Sequence, residues 1–209
     1  MTTPDPKAFW NDRFAAAGEG FVFGRDPNDF LVREVGRLPP GSEVLSVADG
    51  EGRNSVFLAE AGHRVDALEF APAAVAKSRQ LARERQVTIN LIEADVFDWA
   101  WPEAAYDAVV AIFIQFARPA QRPALFARMM SALRPGGLLL LQGYTPKQLE
   151  YGTGGPSAVE NLYTESLLLD AFAAHEIVLL RTHESVIDEG AGHKGMSALV
   201  DVVVQRVAD

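Results

Sequence analysis

The sequence predicts an α/β protein with a doubly wound, mostly parallel sheet and helices on both faces. Three observations lead to this prediction. From residue 41 onward, apolar β-branched stretches alternate with stretches of helical periodicity, as in parallel strands joined by right-handed crossovers. A glycine-containing turn at 48–52 follows the first apolar stretch and leads directly into a helix-like one. Two long strand-like stretches near the end are joined by a glycine-rich loop, which predicts a C-terminal antiparallel strand pair.

The composition limits the class of protein. The chain has 209 residues, of which 48% are hydrophobic, so we expect one domain: a helical preface or lid at 1–40 and a core at 41–209. A formal net charge of −9 argues against a nucleic-acid partner, because phosphate binding needs clustered Lys and Arg. The chain has no cysteine, no leader-like start and no apolar stretch of roughly twenty residues, so we expect a cytoplasmic protein without a membrane partner. The oligomeric state is left open.

The preface is predicted to be helical. Residues 8–14 place apolar side chains on one helical face, and a second helix is predicted to begin with Asp26 as N-cap and Pro27 in its first turn. The loop at 20–25 between them carries aromatic residues, including Phe23, and two glycines. It is either a hydrophobic anchor or a lid that closes over a ligand.

The core follows in alternating elements. Strands are predicted at 43–48, 64–69, 87–93, 106–113, 138–141, 177–187 and 196–207, and helices at 53–61, 71–85, 119–133 and 164–174. A clear turn is predicted at 134–137. The loop at 145–163 is unusually long for a compact domain, and loops of that length are usually functional or disordered.

This order of elements and four motifs resemble the class I S-adenosylmethionine (SAM)-dependent methyltransferases, which have a Rossmann-like seven-stranded sheet. The motifs are the glycine turn at 46–52, Glu69 at the end of the second strand, Ala-Asp at 94–95, and Leu-Arg-Pro-Gly-Gly at 133–137. The resemblance covers roughly residues 41–207. The aromatic preface and the glycine-rich stretch at 151–156 also resemble small-molecule enzymes related to the tellurite-resistance methyltransferases.

The resemblance implies SAM as cofactor, S-adenosylhomocysteine as its product and a small-molecule substrate. Glu69 would accept hydrogen bonds from the ribose hydroxyls, and Asp95 from the adenine amino group. The alternatives are a solvated strand-end carboxylate for Glu69, a helix cap for Asp95 and a core role for Ile112. The expected cofactor contacts are Ser46, Ala48, Asp49, Gly50, Gly52, Asn54, Glu69, Phe70, Asp95, Val96 and Ile112.

Two residues of the glycine turn depart from the family pattern. Ser46 stands where the family usually has an acid that binds the ligand's ammonium group, and Ala48 replaces the first glycine. Replacing a charge-assisted hydrogen bond by a neutral one weakens binding by about tenfold. Asp49 is expected on the other face by strand alternation unless the turn redirects it. Ser46→Asp is therefore expected to tighten SAM binding, and a catalytically silent or altered-ligand binding domain is an alternative function.

Methyl transfer from a sulfonium is an in-line displacement that alignment and exclusion of water accelerate. A soft nucleophile, such as a thiol or a reduced chalcogen, needs no general base and is the expected acceptor. For a harder acceptor, His193 in the glycine-rich loop is the candidate base, and a surface histidine is the alternative interpretation. The expected substrate contacts are Phe23, Gln115, Tyr144, Tyr151 and Tyr163, and these tyrosines could equally pack the loop down.

Two other types of site, for a metal and for a dinucleotide, have weaker support in the sequence. No metal is expected, because the acidic residues at 95, 98 and 103 are loosely spaced and lack an accompanying histidine. An NAD-type oxidoreductase is a further alternative, since Gly50, Gly52 and Ser55 loosely imitate the dinucleotide fingerprint. Glu69 also lies at a suitable distance after them. The predicted terminal strand pair and the turn at 134–137 argue against it.

Overall fold

The computed structural model describes residues 6–190 and 192–208. Residues 1–5, which bear on the expectation of no leader, and Ala191 in the predicted hairpin loop lie outside the described part. The strands are β1 (Glu43–Val47), β2 (Arg64–Glu69), β3 (Asn90–Glu93), β4 (Tyr106–Ile112), β5 (Leu133–Tyr144), β6 (Glu176–Asp188) and β7 (Lys194–Gln205). The α-helices are α1 (Pro6–Ala16), α2 (Asp29–Glu34), α3 (Arg53–Glu60), α4 (Pro72–Glu84), α5 (Arg122–Ala132), α6 (Gln148–Tyr151) and α7 (Glu165–Ala171). Short 3₁₀ turns lie at Val35–Arg37 and Val159–Asn161.

The strands form one seven-stranded sheet in the order β3-β2-β1-β4-β5-β7-β6. The first five pair in parallel, and β7 pairs antiparallel with both β5 and β6. The predicted fold class is therefore confirmed. The chain reverses its direction of winding between β1 and β4, and in sheets of this kind ligands bind in the crevice at that switch point, beyond the carboxyl ends of the strands.

Alternation along the central strands divides the core into two layers. Val109, Leu139 and Leu141 face one side and pack in the layer that includes α5 and α7. Val110 and Leu140 face the other side and pack with apolar residues of α2 and α3. Both faces of the sheet are covered, which is why the central strands are almost continuously apolar.

Several boundaries differ from the predictions. The second helix is capped by Asn28, whose side chain accepts from the Leu31 amide, so the predicted cap at Asp26 is wrong by two residues. The turn at 134–137 is a bulge within β5, which already pairs with β4 at Leu133. The stretch at 145–163 is not structureless, because it contains α6 and a 3₁₀ turn. No helix in the described part of the chain is both long and apolar enough to cross a membrane.

Candidate functional site

Three adjoining cavities lie where β1, β2 and β4 end. The central cavity, about 120 Å³, is lined by the glycine turn, Glu69 and Ile112. The Asp95 cavity, about 270 Å³, opens on one side of it, and the Tyr144 cavity, about 320 Å³, on the other. Trp10 and Phe116 line all three, so the cavities form one cleft.

A larger groove lies elsewhere. It measures about 850 Å³ and runs between α5 and α7, away from the carboxyl ends of β1, β2 and β4. We place the site in the smaller cleft, because that cleft brings together the glycine turn and several buried ionisable groups, which volume alone does not provide.

In the glycine turn, the buried carboxylate of Asp49 is directed back toward β1. Ala48 and Gly50 both have positive φ, 50° and 64°, so the chain reverses sharply after the strand. Ser46 Oγ then donates to Asp49 Oδ1 at 2.7 Å, and Ser55 Oγ donates to Asp49 Oδ2 at 2.6 Å. The turn therefore redirects Asp49, which strand alternation alone had placed on the other face. Burial raises the pKa of Asp49 above its ordinary value, while the hydrogen bonds from Ser55 and Ser46 act against that rise.

Glu69 ends β2 beside the same turn. Its Oε2 accepts from the Gly50 amide at 3.0 Å and its Oε1 from the Ala71 amide at 2.8 Å, so the carboxylate is fixed in position while each oxygen keeps a free lone pair. Burial raises its pKa to about 6, although the amides of Ala71 and Gly50 oppose the rise.

A buried ionic network closes the far side of the central cavity. Arg53 Nη2 donates to Glu189 Oε2 at 2.5 Å, and Asn28 Nδ2 donates to Glu189 Oε1 at 2.8 Å. Arg53 Nη1 is buried and has no hydrogen-bond partner among the described residues. A buried guanidinium nitrogen without a partner is costly, so this donor is available to a ligand.

His193 lies at the junction of the central and Tyr144 cavities, since it lines both. Its ring centroid is 4.4 Å from that of Phe113 and 4.6 Å from that of Phe23. Its Nδ1 is 3.9 Å from Glu189 Oε2, too far for a hydrogen bond. Burial lowers the pKa of His193 below its usual value against the opposing effect of the nearby Glu189 carboxylate, and the charge of Arg53 acts in the same direction as burial, so the neutral imidazole is favoured at neutral pH.

Phe113 has a backbone conformation that its residue type rarely adopts. Its φ is 56°, immediately after β4, and its ring stacks on Tyr144 with centroids 4.6 Å apart and planes 20° apart. A bulky residue with positive φ is an outlier that frequently marks a ligand site. The conformation turns the ring into the cleft, where it separates the central cavity from Tyr144.

The remaining predicted cofactor residues occupy three positions. Phe70 lines the central and Asp95 cavities, and Asn54 lines the central one while its Oδ1 accepts from the Asn28 amide. Asp95 Oδ1 accepts from the Phe97 amide, which makes a local turn rather than a helix cap. Val96, Ala48 and Ile112 also line the cleft, whereas Ser46 and Gly52 lie behind it in the turn.

The predicted substrate residues separate into two groups. Phe23, Gln115 and Tyr144 line the Tyr144 cavity, although both ends of the Gln115 amide already bond the Tyr144 backbone. Tyr163 instead lies in the hydrophobic core, and the Tyr151 hydroxyl contacts Glu184 at the surface. Neither of these tyrosines lines any of the three cavities.

The preface forms the roof of the cleft. Lys77 Nζ donates to the carbonyls of Phe14 and Gly20 at 2.7 and 2.6 Å and to Glu51 Oε1 at 3.0 Å. Glu51 Oε2 in turn accepts from the Phe23 amide at 3.1 Å. Trp10, Phe14 and Phe23 line the central cavity from above. The roof is thus tied to the glycine turn itself, as a lid would be.

A substitution at Gly190 tests whether the 20–25 segment depends on its contact with this glycine. Gly190 has φ of 72°, and a Cβ there would lie 2.6 Å from the Val22 carbonyl oxygen. We expect Gly190→Ala to detach the 20–25 segment and raise its protease cleavage rate, whereas Gly152→Ala, at φ of 61° with open space around it, leaves cleavage unchanged. Equal cleavage of the two variants would show that the segment does not depend on this contact.

No group of acidic, histidine or cysteine side chains suited to hold a metal is present among residues 6–190 and 192–208. The cleft instead offers carboxylates, one free guanidinium nitrogen, a neutral imidazole and aromatic walls. That set suits an organic ligand that carries both charges, hydroxyls and a flat ring system.

Comparison with known proteins agrees with this description. A family model described as a methyltransferase domain matches residues 44–137, from β1 through the bulge in β5. This part of the chain is therefore similar to methyltransferase domains, in agreement with the resemblance that the motifs indicated. The matched segment contains the glycine turn, Glu69 and Asp95.

Individual relatives differ in how much of their sequence and length they share with this chain. A demethylmenaquinone methyltransferase of Deinococcus radiodurans is 32% identical over 127 residues, which are 60% of this chain and 51% of that protein. A "probable S-adenosylmethionine-dependent methyltransferase" of Mycolicibacterium smegmatis is 25% identical over 92% of this chain and 75% of its own. TehB from Haemophilus influenzae has the same fold, with TM-score 0.71, 17% identity, and coverage of 94% and 67%. The chain spans about half the length of several curated relatives it matches.

The residues of the cleft fit SAM, the cofactor that the similarity to methyltransferase domains implies. SAM carries an amino acid end with both charges, two ribose hydroxyls and an adenine ring. Asp49 and the unpartnered Arg53 Nη1 complement the two charges, Glu69 complements the hydroxyls, and Asp95 lies in the next cavity along.

Proposed function

We propose that the protein is a SAM-dependent methyltransferase that acts on a small molecule carrying a soft nucleophile, a thiol or a reduced chalcogen. The observation that carries the proposal is the order of the three cavities. Two adjoining cavities that carry Glu69 and Asp95 lead to His193, and His193 also lines a further cavity. That order supports two ligands meeting end to end, as an in-line transfer requires.

Asp49 and Arg53 would bind the amino acid end of SAM. A buried carboxylate and a buried guanidinium line one small cavity, which is the arrangement that a zwitterion matches. Ser46 and Ser55 hold Asp49 in place from behind. Asp49 would then compensate for the departure at Ser46, which supports an active enzyme over a catalytically silent domain.

The chain contributes alignment and exclusion of water to the reaction. Bound SAM supplies a methyl group on a sulfonium sulfur. The thioether that departs from this methyl group is already a good leaving group. Trp10, Phe14 and Phe23 cover the cleft, and Phe113 and His193 narrow the passage between its central and Tyr144 cavities. Apolar walls at that passage exclude water from the reacting atoms. A soft acceptor needs no base, while the neutral His193 imidazole can take a proton from an acceptor that arrives protonated.

Two further observations support a small acceptor. The Tyr144 cavity measures about 320 Å³, which suits a small molecule rather than a polymer. The protein also carries a net charge of −9, which disfavours a nucleic-acid substrate. The Deinococcus relative is named for a small molecule, demethylmenaquinone.

The pKa of Glu69 predicts how SAM affinity depends on pH. Only the ionised carboxylate accepts hydrogen bonds from both ribose hydroxyls, so affinity should rise between pH 5 and pH 7 with a midpoint near pH 6. Titrations at several pH values would measure this, and Glu69→Gln should flatten the curve. A wild-type curve that is flat through pH 6 would contradict the proposed role of Glu69.

The same pKa has a consequence for folding stability. The folded value of about 6 exceeds the usual 4.5, so the folded state binds more protons between these two values. The contribution of Glu69 to stability is therefore greatest below pH 4.5 and falls as the pH rises to 6, by about 2 kcal/mol. Glu69→Gln should remove this part of the pH dependence.

Methyl transfer itself is tested by incubating the protein with SAM and a set of thiols and chalcogen oxyanions. Mass spectrometry should detect a methylated product together with S-adenosylhomocysteine in equal amounts. SAM binding without transfer to any of these acceptors would overturn the soft-nucleophile proposal and favour a binding domain instead.

A further inference from the structure

The walls of the Tyr144 cavity indicate which acceptors fit. Five aromatic side chains and His193 surround a space of about 320 Å³: Trp10, Phe23, Phe113, Phe116 and Tyr144. The Phe113 and Tyr144 rings are stacked, and His193 meets both of them edge-on, with centroid distances of 4.4 and 5.7 Å. Flat walls of this kind pack best against a flat ligand of one or two rings.

The same walls offer few hydrogen bonds to an oxygen-rich ligand. The Gln115 amide is already bonded to the Tyr144 backbone, which leaves the buried Tyr144 hydroxyl, without a partner among the described residues, as one of the few donors. A small oxyanion such as selenite would lose its hydration shell here and has no ring to pack against the flat walls, which is unfavourable. The cavity therefore disfavours chalcogen oxyanions among the acceptors considered above.

One charge lies beside these apolar walls. Arg13 Cζ is 5.1 Å from the centroid of Trp10 and 5.5 Å from that of Phe23, and Arg13 lines the cavity. No carboxylate within residues 6–190 and 192–208 forms an ion pair with Arg13, although the protein as a whole is strongly acidic. The positive charges of Arg13 and Arg53 also both lower the pKa of neighbouring His193. A cation over aromatic rings and without a counter-ion suits an anionic ligand group.

From this geometry we infer that the acceptor is a planar aromatic thiol that carries a carboxylate or a similar anionic group, with its ring between the aromatic walls and its anion at Arg13. The inference rests on the proposed methyltransferase function and narrows it. His193, at the junction of the two cavities, is the group beside the thiol.

The transfer then balances without any further reactant. The acceptor thiol gives its proton to a neutral His193 nitrogen, and a sulfur lone pair forms the new bond to the methyl carbon. The bond between that carbon and the sulfonium sulfur breaks, and its electron pair stays on the departing thioether. The protonated imidazole returns its proton to solvent when the products leave.

Binding of meta-mercaptobenzoate to the protein saturated with S-adenosylhomocysteine tests the inference without relying on turnover. Calorimetry should show tighter binding of this compound than of thiophenol, mercaptoacetate or selenite. Arg13→Gln should weaken binding of meta-mercaptobenzoate by about tenfold and leave thiophenol unchanged. Arg79→Gln, an exposed arginine on α4, is the matched control and should change neither.

The other possible results of these experiments each contradict a specific part of the inference or of the proposed function. Mercaptoacetate or selenite binding as tightly as meta-mercaptobenzoate would overturn the aromatic part of the inference, and an unaffected Arg13→Gln variant would overturn the anionic part. Unchanged affinity of Arg13→Gln for S-adenosylhomocysteine verifies that the variant is folded. If S-adenosylhomocysteine itself does not bind to the wild-type protein, the proposed function fails. If it binds and only aliphatic thiols or selenite are methylated, this inference alone fails.

Discussion

Asp49→Asn is expected to weaken SAM binding by about 10- to 100-fold. The variant keeps the size of the side chain but removes the charge that would pair with the ligand's ammonium group. A hydrogen bond to a charged group contributes roughly 1.5–3 kcal/mol, and 1.4 kcal/mol corresponds to a factor of ten in affinity. Calorimetric titration measures the change, and Asp98→Asn, an exposed acid after β3, is the matched control.

Substitutions at Ser46 complement the Asp49→Asn experiment. Because Ser46 Oγ lies 2.7 Å from Asp49 Oδ1, Ser46→Asp would place two carboxylates together in a buried site. We therefore expect this substitution to weaken SAM binding, which reverses the expectation drawn from the sequence. Combining Ser46→Asp with Asp49→Ser moves the carboxylate back across the same hydrogen bond and should recover part of the affinity. An Asp49→Asn variant that binds SAM like the wild type would contradict this account.

Gly52→Ala is expected to lower the free energy of unfolding by about 3 kcal/mol or more. Gly52 has φ of 92°, and a Cβ there would lie 2.8 Å from Ser78 Cα on α4. A left-handed backbone costs an alanine roughly 1–2 kcal/mol, and overpacking a tight contact adds roughly 1–3 kcal/mol. Urea unfolding at constant pH measures the loss.

Gly62 offers a matched control for Gly52. Its φ is 89°, nearly the same, but no atom lies within 4 Å of the position a Cβ would take. Gly62→Ala should therefore cost only the backbone part, about 1–2 kcal/mol. Similar losses for the two variants would mean that packing against Ser78 is unimportant and that only the turn conformation requires glycine.

Local patterns predicted the sheet well. Elements such as β1 and α3 can be predicted from the periodicity of apolar residues within about ten positions. Their boundaries depend mainly on residues close by in the sequence. The N-cap at Asn28 was missed because Asp26, Asn28 and Asp29 are all good caps, and tertiary hydrogen bonds decide among them. Asn28 also bonds Gln142 and Glu189, which are far away in the sequence.

The cleft was predicted less completely, for two physical reasons. The position of Asp49 depends on the positive φ of Ala48, which strand alternation cannot anticipate. Arg53 and Glu189 meet across 136 residues, so no local pattern reveals their ion pair. Positive φ at Phe113 likewise follows from the fold around it. Trp10 lies on the apolar face of the first helix, and helical periodicity alone does not reveal that this face lines a cleft.

Equilibrium titration of the wild-type protein with SAM, S-adenosylhomocysteine and NAD tests the central claim most directly. The buried pair of Asp49 and Arg53, together with Glu69, predicts saturable binding of both sulfur ligands at one site and no binding of NAD. Heat from NAD alone would favour the oxidoreductase alternative. No binding of either sulfur ligand at millimolar concentration would contradict the assignment of this cleft as a SAM site.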